Sequence, residues 1–327
     1  MASQPAESPA GAGEATFDPA RAYRLISLGR HLDEEMWRLA RAGRAHFAVP
    51  CSGHEAIGAG YGLALRTGYD FIATHYRDLT AVLAAGVTPR EVFLHFFAKA
   101  ADPFTHGRQP YAHWGSRERR IVSLQGPQPN HATHAVGIAW GSRLLGEDSV
   151  TWISFGDGGA QKGEVHEAMN FAAIHRLPCV FCIETNGLTQ SVPIALESAS
   201  TTLVDRAAGY GMPGERVDGA DAEAVWNAAR RAIDRARSGA GPSLLEATCV
   251  RFLGNTSNDD DSRYRRREDV DAGRREHDPL TRMRGRLPDA TADAIDEESL
   301  TTAREAAEWA EAQPGGDPAE LATHTYA

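Results

Sequence analysis

Asp157 and Asn186 stand 29 positions apart, each in a short polar turn that follows an apolar run. The first turn is Gly156-Asp157-Gly158-Gly159 and the second is Glu184-Thr185-Asn186-Gly187. A carboxylate and an amide oxygen are hard ligands, suited to Mg²⁺ that keeps diphosphate oxygens around it. Glycines around Asp157 let the backbone approach a ligand closely. A helix starting just beyond them would offer free N–H groups and its positive dipole end to phosphate. These residue types in this order suit a Mg²⁺–diphosphate site.

The two turns can act together only if the chain brings them side by side. The apolar run Val150–Phe155 reads as a buried strand, and Cys179–Ile183 reads as the next. Between them Val165, Ala168, Met169, Ala172 and Ala173 are spaced to share one helical face. Leu177-Pro178 ends that helix, because proline cannot continue it. In an open parallel sheet such a strand–helix–strand unit sends both turns to the carboxyl ends of neighbouring strands, where ligands bind. Gly-Asp-Gly alone is equally a plain turn, and so is Thr-Asn-Gly. The conjunction of strand, turn, helix, strand and turn is what points to a site.

This conjunction resembles the thiamine diphosphate motif. The text around it, GEVHEAMNFAAIHRLPCVFCIETNG, is similar to the alpha subunit of the decarboxylase (dehydrogenase) component of 2-oxo acid dehydrogenase complexes, with the branched-chain type the nearest likeness. The resemblance runs from about Tyr23 to Pro314 and includes PCSGHEA, THYRD, HGRQPYAHWGSRER and SNDDDSRYR. It implies the thiamine diphosphate-binding α/β fold, a parallel sheet flanked by helices on both faces. It also implies thiamine diphosphate and Mg²⁺ as cofactors, with Asp157, Asn186 and the backbone carbonyl of Leu188 on the metal. Gly158 and Gly159 belong to the same cofactor-binding turn. Tyr76 and Arg77, after a short strand at Asp70–Thr74, match the pair that the family places on the diphosphate; arginine is the natural partner of phosphate. Gly126 and Gln128 match the loop that supports the cofactor's bent shape, and Gln128 is polar where the family has an apolar wedge. Glu184 stands where branched-chain relatives carry a phosphate-pairing arginine.

The stretch from Arg251 to Arg265 matches the family's active-site loop without gaps. By composition it is a mobile, highly charged loop. Arg251, Asp259, Tyr264 and Arg265 match residues that order the loop and present it to the lipoyl domain. Asn255, the candidate catalytic residue there, replaces a histidine that assists acyl transfer. Asparagine can hydrogen-bond, but it cannot shuttle a proton near neutral pH. His113, in the long polar segment Thr105–Arg120, is a further candidate near the site's mouth and equally a structural histidine.

The rest of the chain reads as scaffold. Helices are expected at Asp18–Arg41, Glu55–Leu65, Thr88–Lys99, His134–Leu145, Glu223–Ser238 and within Asp278–Ala312. Ser52 and Glu55 have capping-box spacing. Ala135, Gly137, Ala139 and Gly141 would allow close helix packing. Ile121–Leu124 reads as a strand and Pro242–Val250 holds another, while Leu203–Gly211 and Gly214–Gly219 resemble the family's next helix and strand. Residues 1–17 read as a disordered tail and 18–327 as a single thiamine diphosphate-binding domain. The net charge of −10 argues against a nucleic-acid partner. No apolar stretch reaches transmembrane length, and the first residues lack the features of a secretory signal, so a cytoplasmic protein is expected. Cys179 and Cys182 share a Cys-x-x-Cys spacing but lie within an apolar strand, which favours packing over redox or zinc chemistry.

The family resemblance implies decarboxylation of a 2-oxo acid and transfer of the acyl group to lipoamide. It also implies a beta subunit, which supplies the glutamate that activates the cofactor, in a heterotetramer of two alpha and two beta chains with a lipoyl acyltransferase as a further partner. Two other readings stay open. One is a thiamine diphosphate-dependent decarboxylase or carboligase that does not acylate lipoamide, favoured by Asn255 and opposed by the retained loop charges. The other is a catalytically silent subunit, opposed by the intact Asp157 and Asn186.

Overall fold

The computed structural model describes residues 16–124, 128–320 and 322–323. Eleven α-helices and seven strands lie among them. The first helix, α1 (Pro19–Arg41), begins where Asp18 accepts the backbone N–H groups of Ala20 and Arg21 at 2.9 and 3.1 Å. That side chain satisfies donors the helix cannot pair internally, and Pro19 has no N–H to leave unpaired. Helix α2 (Glu55–Ala64) and strand β1 (Phe71–Ala73) follow, then α3 (Leu79–Ala84), α4 (Pro89–Phe96) and α5 (His131–Leu144). Strand β2 (Thr151–Gly156), α6 (Gly163–Ile174) and β3 (Cys179–Thr185) form the central unit. A small antiparallel pair, β4 (Leu188–Thr189) and β5 (Val192–Pro193), leads to α7 (Arg206–Gly209), β6 (Gly214–Asp218), α8 (Ala222–Arg237) and β7 (Ser243–Thr248). Helices α9 (Arg267–His277), α10 (Pro279–Arg284) and α11 (Asp289–Glu311) close the chain.

Strands β1, β2, β3, β7 and β6 form one sheet in that spatial order, every neighbour parallel. Both faces are covered, which is why the central strands read as unbroken apolar runs. Trp152, Val180 and Leu245 point to one side, into a core built with α1, α2, α8 and α11. Ile153, Phe155, Phe181 and Ile183 point to the other, against α5 and α6. The indole of Trp152 stacks on Tyr61 of α2 with ring centres 4.5 Å apart. Cys179 and Cys182 are buried free thiols inside β3, as the apolar context predicts.

Several local expectations change. Ile121–Leu124 is no strand: Ile121 makes single bridges to Ile72 and Ser116 only. The expected helix at Leu203–Gly211 shrinks to the one turn of α7. The Ser52–Glu55 capping box does not form, because stronger tertiary partners take both side chains. Ser52 Oγ donates to Asp33, while Glu55 accepts from Arg30 and from the Gly53 backbone. A capping box does form at Thr88 and Glu91, at the start of α4. On α5, Ala135 and Ala139 pack inward, but Gly137 and Gly141 face out with nothing within 4 Å of a notional side chain. The 251–265 loop is tied down by its own charges, with Tyr264 Oη 2.9 Å from Arg251 and Arg265 Nε 2.8 Å from Asp261.

Candidate functional site

Parallel pairing puts the carboxyl ends of β1, β2, β3 and β7 on one edge of the sheet. Gly156 of β2 lies opposite Glu184 of β3, so Asp157 and Asn186 leave the sheet from adjacent positions. One Asp157 oxygen accepts the N–H of Gly158 at 3.0 Å and the other accepts the N–H of Gly187 at 2.8 Å. Asn186 Oδ1 accepts the N–H of Leu188 at 3.1 Å. A side chain at Gly158 would collide with Thr189, so only glycine lets the two turns close on each other.

These turns border a cavity of about 350 Å³. It is lined from β1 by His75, Tyr76 and Arg77, from β2 by Gly156–Gly159 and Lys162, from β3 by Asn186 and Leu188–Gln190, and from β7 by Arg251 and Asn255, with Gln128 at one side. Of the site residues expected from the sequence, Tyr76, Arg77, Gln128, Asp157, Gly158, Gly159, Asn186, Leu188 and Asn255 thus meet at one place. Gly126 lies outside the described residues. A second cavity of about 340 Å³ shares Tyr76, Gln128, Gln190 and Asn255 with the first and is walled by Phe47, Val49, Tyr111, His113 and Leu124.

The charges suit an anion and a cation together. Arg77 donates to the carbonyls of Pro50 and Asn255, at 2.6 and 3.1 Å, and to Asn255 Oδ1 at 2.9 Å. Arg251 donates to the same Oδ1 at 3.2 Å and to the carbonyl of Gln190 at 2.8 Å. Neither arginine has a carboxylate partner among the described residues, and the Nε of each is buried without an acceptor. Burial, with Arg77 beside it, brings the Arg251 guanidinium down to about 10. Two adjacent buried cations with spare donors fit a diphosphate. Asp157 is 2% exposed, and burial raises its carboxyl above the usual range despite the two N–H groups it accepts. A divalent ion at that carboxylate would offset the cost of burying it.

Sequence reasoning did not assign His75, Lys162 or Gln190 to the cavity. The position of His75, next to Tyr76 after β1, is a signal that was available. Lys162, a cation at the start of α6, is another. Glu184, at the position where the resemblance has a phosphate-pairing arginine, does not line the cavity. Its side chain is wholly buried behind the cavity, 2.7 Å from His54 Nδ1 and 3.1 Å from His75 Nδ1. Burial raises its carboxyl to about 7. His113 lies in the wall of the second cavity, where its Nδ1 donates to the carbonyl of Pro110 at 2.8 Å.

The family model described as dehydrogenase E1 component matches residues 23–318. The chain is 39% identical over 310 residues to the 2-oxoisovalerate dehydrogenase subunit alpha of Bacillus subtilis, covering 93% of this chain and 94% of that one. It is 37% identical over 267 residues to the 3-methyl-2-oxobutanoate dehydrogenase subunit alpha of Mycobacterium tuberculosis, covering 82% and 70%. It is 34% identical over 313 residues to the pyruvate dehydrogenase E1 component subunit alpha of Rhizobium meliloti, covering 94% and 89%.

Proposed function

The chain belongs to the dehydrogenase E1 component family, and from that premise we propose how its site works as the alpha subunit of a branched-chain-type 2-oxo acid dehydrogenase. As such it is an enzyme subunit that takes part in decarboxylating a 2-oxo acid and transferring the acyl group to lipoamide. Thiamine diphosphate, when bound, supplies the carbon at which the 2-oxo acid loses CO₂. The residues of this chain hold and orient it. Asp157, Asn186 and the Leu188 carbonyl take Mg²⁺, and Tyr76 and Arg77 take the diphosphate. The N–H groups after Gly158 assist, and Gln128, with Gly126, supports the thiamine side. The observation that carries this assignment is the single cavity where Asp157, Asn186, Leu188, Tyr76 and Arg77 meet. The adjoining cavity, apolar along Phe47, Val49 and Leu124, suits the side chain of a branched 2-oxo acid.

A beta subunit completes the site in a heterotetramer, with a lipoyl acyltransferase as acceptor of the acyl group. A surface for another chain also lies away from the cavity, at the ends of α5 and α6 that lead into the amino ends of β2 and β3. Leu144, Leu145 and Ile174 are 76%, 77% and 67% exposed beside Trp140, an apolar patch of the kind that other chains cover. No helix of the described residues is long and apolar enough to cross a membrane, and all four cysteines are free thiols, which suits a cytoplasmic setting.

One observation favours a second reading, decarboxylation or carboligation without lipoamide acylation. Asn255 Oδ1 is already engaged by Arg77 and Arg251, and an amide transfers no proton near neutral pH. The deciding experiment uses the chain co-expressed with its beta subunit, thiamine diphosphate, Mg²⁺, 3-methyl-2-oxobutanoate and a free lipoyl domain. Acylation that keeps pace with CO₂ release is expected. Free aldehyde or acyloin without acylation would establish the second reading.

A further inference from the structure

We propose that His54, held by Glu184, is a positioning residue that turns the Asn186 amide so that its oxygen, and not its nitrogen, faces the metal. The inference rests on Asn186 being a Mg²⁺ ligand. A carboxamide has two ends of nearly the same shape, and only the oxygen can bind a cation. An asparagine at a metal site therefore needs partners that tell the ends apart.

Two partners do so here. Asn186 Oδ1 accepts the N–H of Leu188 at 3.1 Å and keeps a second lone pair. Asn186 Nδ2 lies 3.4 Å from His54 Nε2. That contact holds the amide only if His54 Nε2 is an acceptor, which requires the ring proton to sit on Nδ1. Glu184 Oε2 lies 2.7 Å from this Nδ1 and 3.1 Å from the Nδ1 of His75, and one oxygen set between two ring nitrogens serves both as their acceptor, which selects that tautomer. The order is carboxylate, Nδ1–H, Nε2, amide N–H, each group with one role. Both ring and carboxylate are buried, so water does not compete. The Cys249 Sγ lies 3.5 Å from the same Nε2, but a thiol is the weaker donor.

A metal ion among His54, His75 and Glu184 is the rival account, since their ligand atoms gather within 4.8 Å. Both Nδ1 atoms, however, stand at hydrogen-bond distance from one oxygen, 2.7 and 3.1 Å. An ion between nitrogen and oxygen would hold each at about 2.0–2.2 Å and push them farther apart than that.

The test measures metal binding, not turnover. The complex with its beta subunit and thiamine diphosphate is titrated with Mn²⁺, read by calorimetry and by electron paramagnetic resonance. His54→Leu fills the same space without the acceptor and is expected to weaken Mn²⁺ by about 10-fold or more, as loss of a partner behind a ligand does. His54→Gln offers an amide oxygen to Asn186 and an N–H to Glu184, and is expected to keep most of the affinity. In an Asn186→Asp background either end of the side chain is oxygen, so His54→Leu should cost far less. Equal loss in His54→Leu and His54→Gln would overturn the proposal, as would an unchanged affinity in folded His54→Leu or the same cost in the Asn186→Asp background. Should His54→Leu not fold, His54→Gln alone decides: retained affinity supports the proposal and lost affinity overturns it. A wild-type complex that binds no Mn²⁺, or an Asp157→Ala complex that binds it equally well, would sink the metal-site reading and this inference with it.

Discussion

Asp157 accepts the backbone N–H of Gly187 across the mouth of the sheet, at 2.8 Å. That bond joins the turn after β2 to the turn after β3 and sets Asn186 beside the carboxylate. Asp157 therefore has two proposed roles, holding Mg²⁺ and holding the second turn in place. Asp157→Ala removes both. Replacing a partner behind a metal ligand costs about 10- to 100-fold in affinity, so loss of the ligand itself should exceed the upper end. Calorimetric titration of Mg²⁺ with thiamine diphosphate checks this. Affinity within a few-fold of wild type would remove Asp157 from the metal.

Much of this was legible in the chain itself. A parallel strand covered on both faces reads as a near-continuous apolar run, so Val150–Phe155 and Cys179–Ile183 stand out; they become β2 and β3, and the polar turns that follow fall at one sheet edge. The partners of those turns were not legible. Glu184 reads as a charge at a strand end. Only the packing of the loop before α2 and the loop after β1 brings His54 and His75 to it, from 130 and 109 positions away. The Ser52–Glu55 spacing misled for the same reason. Local spacing says what a cap could do, whereas Asp33 and Arg30, distant in sequence or on another element, decide what it does. Ile121 failed as a strand because single bridges to Ile72 and Ser116 do not make a ladder.

Arg77→Lys should not be a mild change. The guanidinium spans the Pro50 carbonyl, the Asn255 carbonyl and Asn255 Oδ1, and still keeps a free Nε. An ammonium has three donors on one atom and cannot reach in these separate directions. The variant should leave buried acceptors unpaired, each costing about 1–3 kcal/mol, and loosen the 251–265 loop. Protease cutting within that loop should speed up, and cofactor affinity should fall. An unchanged cleavage rate would show that Arg77 does not anchor the loop.

Asn255→His tests the acyl-transfer step. The new ring would sit between Arg77 and Arg251, whose charges hold it below the usual histidine value of about 6.5. It would therefore be neutral, and able to take up a proton, at pH 7 and above. Single-turnover acylation of a lipoyl domain should rise by up to about 100-fold, the low end of general acid–base contributions. The gain should fade as the pH drops and the ring becomes protonated. If Asn255→His acylates the lipoyl domain no faster than the wild type at pH 7 and above, residue 255 does not handle the proton.

The buried carboxyl of Asp33 should give the protein a pH signature of its own. Asp33 is 2% exposed and accepts the N–H groups of Cys51 and Ser52, each at 3.1 Å. Burial outweighs these bonds and pushes the carboxyl up to about 7. In the unfolded chain it titrates near 3.9. Between those values the folded state holds a proton that the unfolded state has released, so stability must fall as the pH rises. The slope from one such group is at most about 1.4 kcal/mol per pH unit. It ends once the pH passes the folded value, because both states are then ionised. Asp33→Asn has no proton to release and should remove this one-proton slope. Urea midpoints of the two proteins, taken at half-unit steps from pH 4.5 to 8, give the difference directly. Parallel curves would mean that Asp33 is ionised in the folded protein throughout, with its donors outweighing burial.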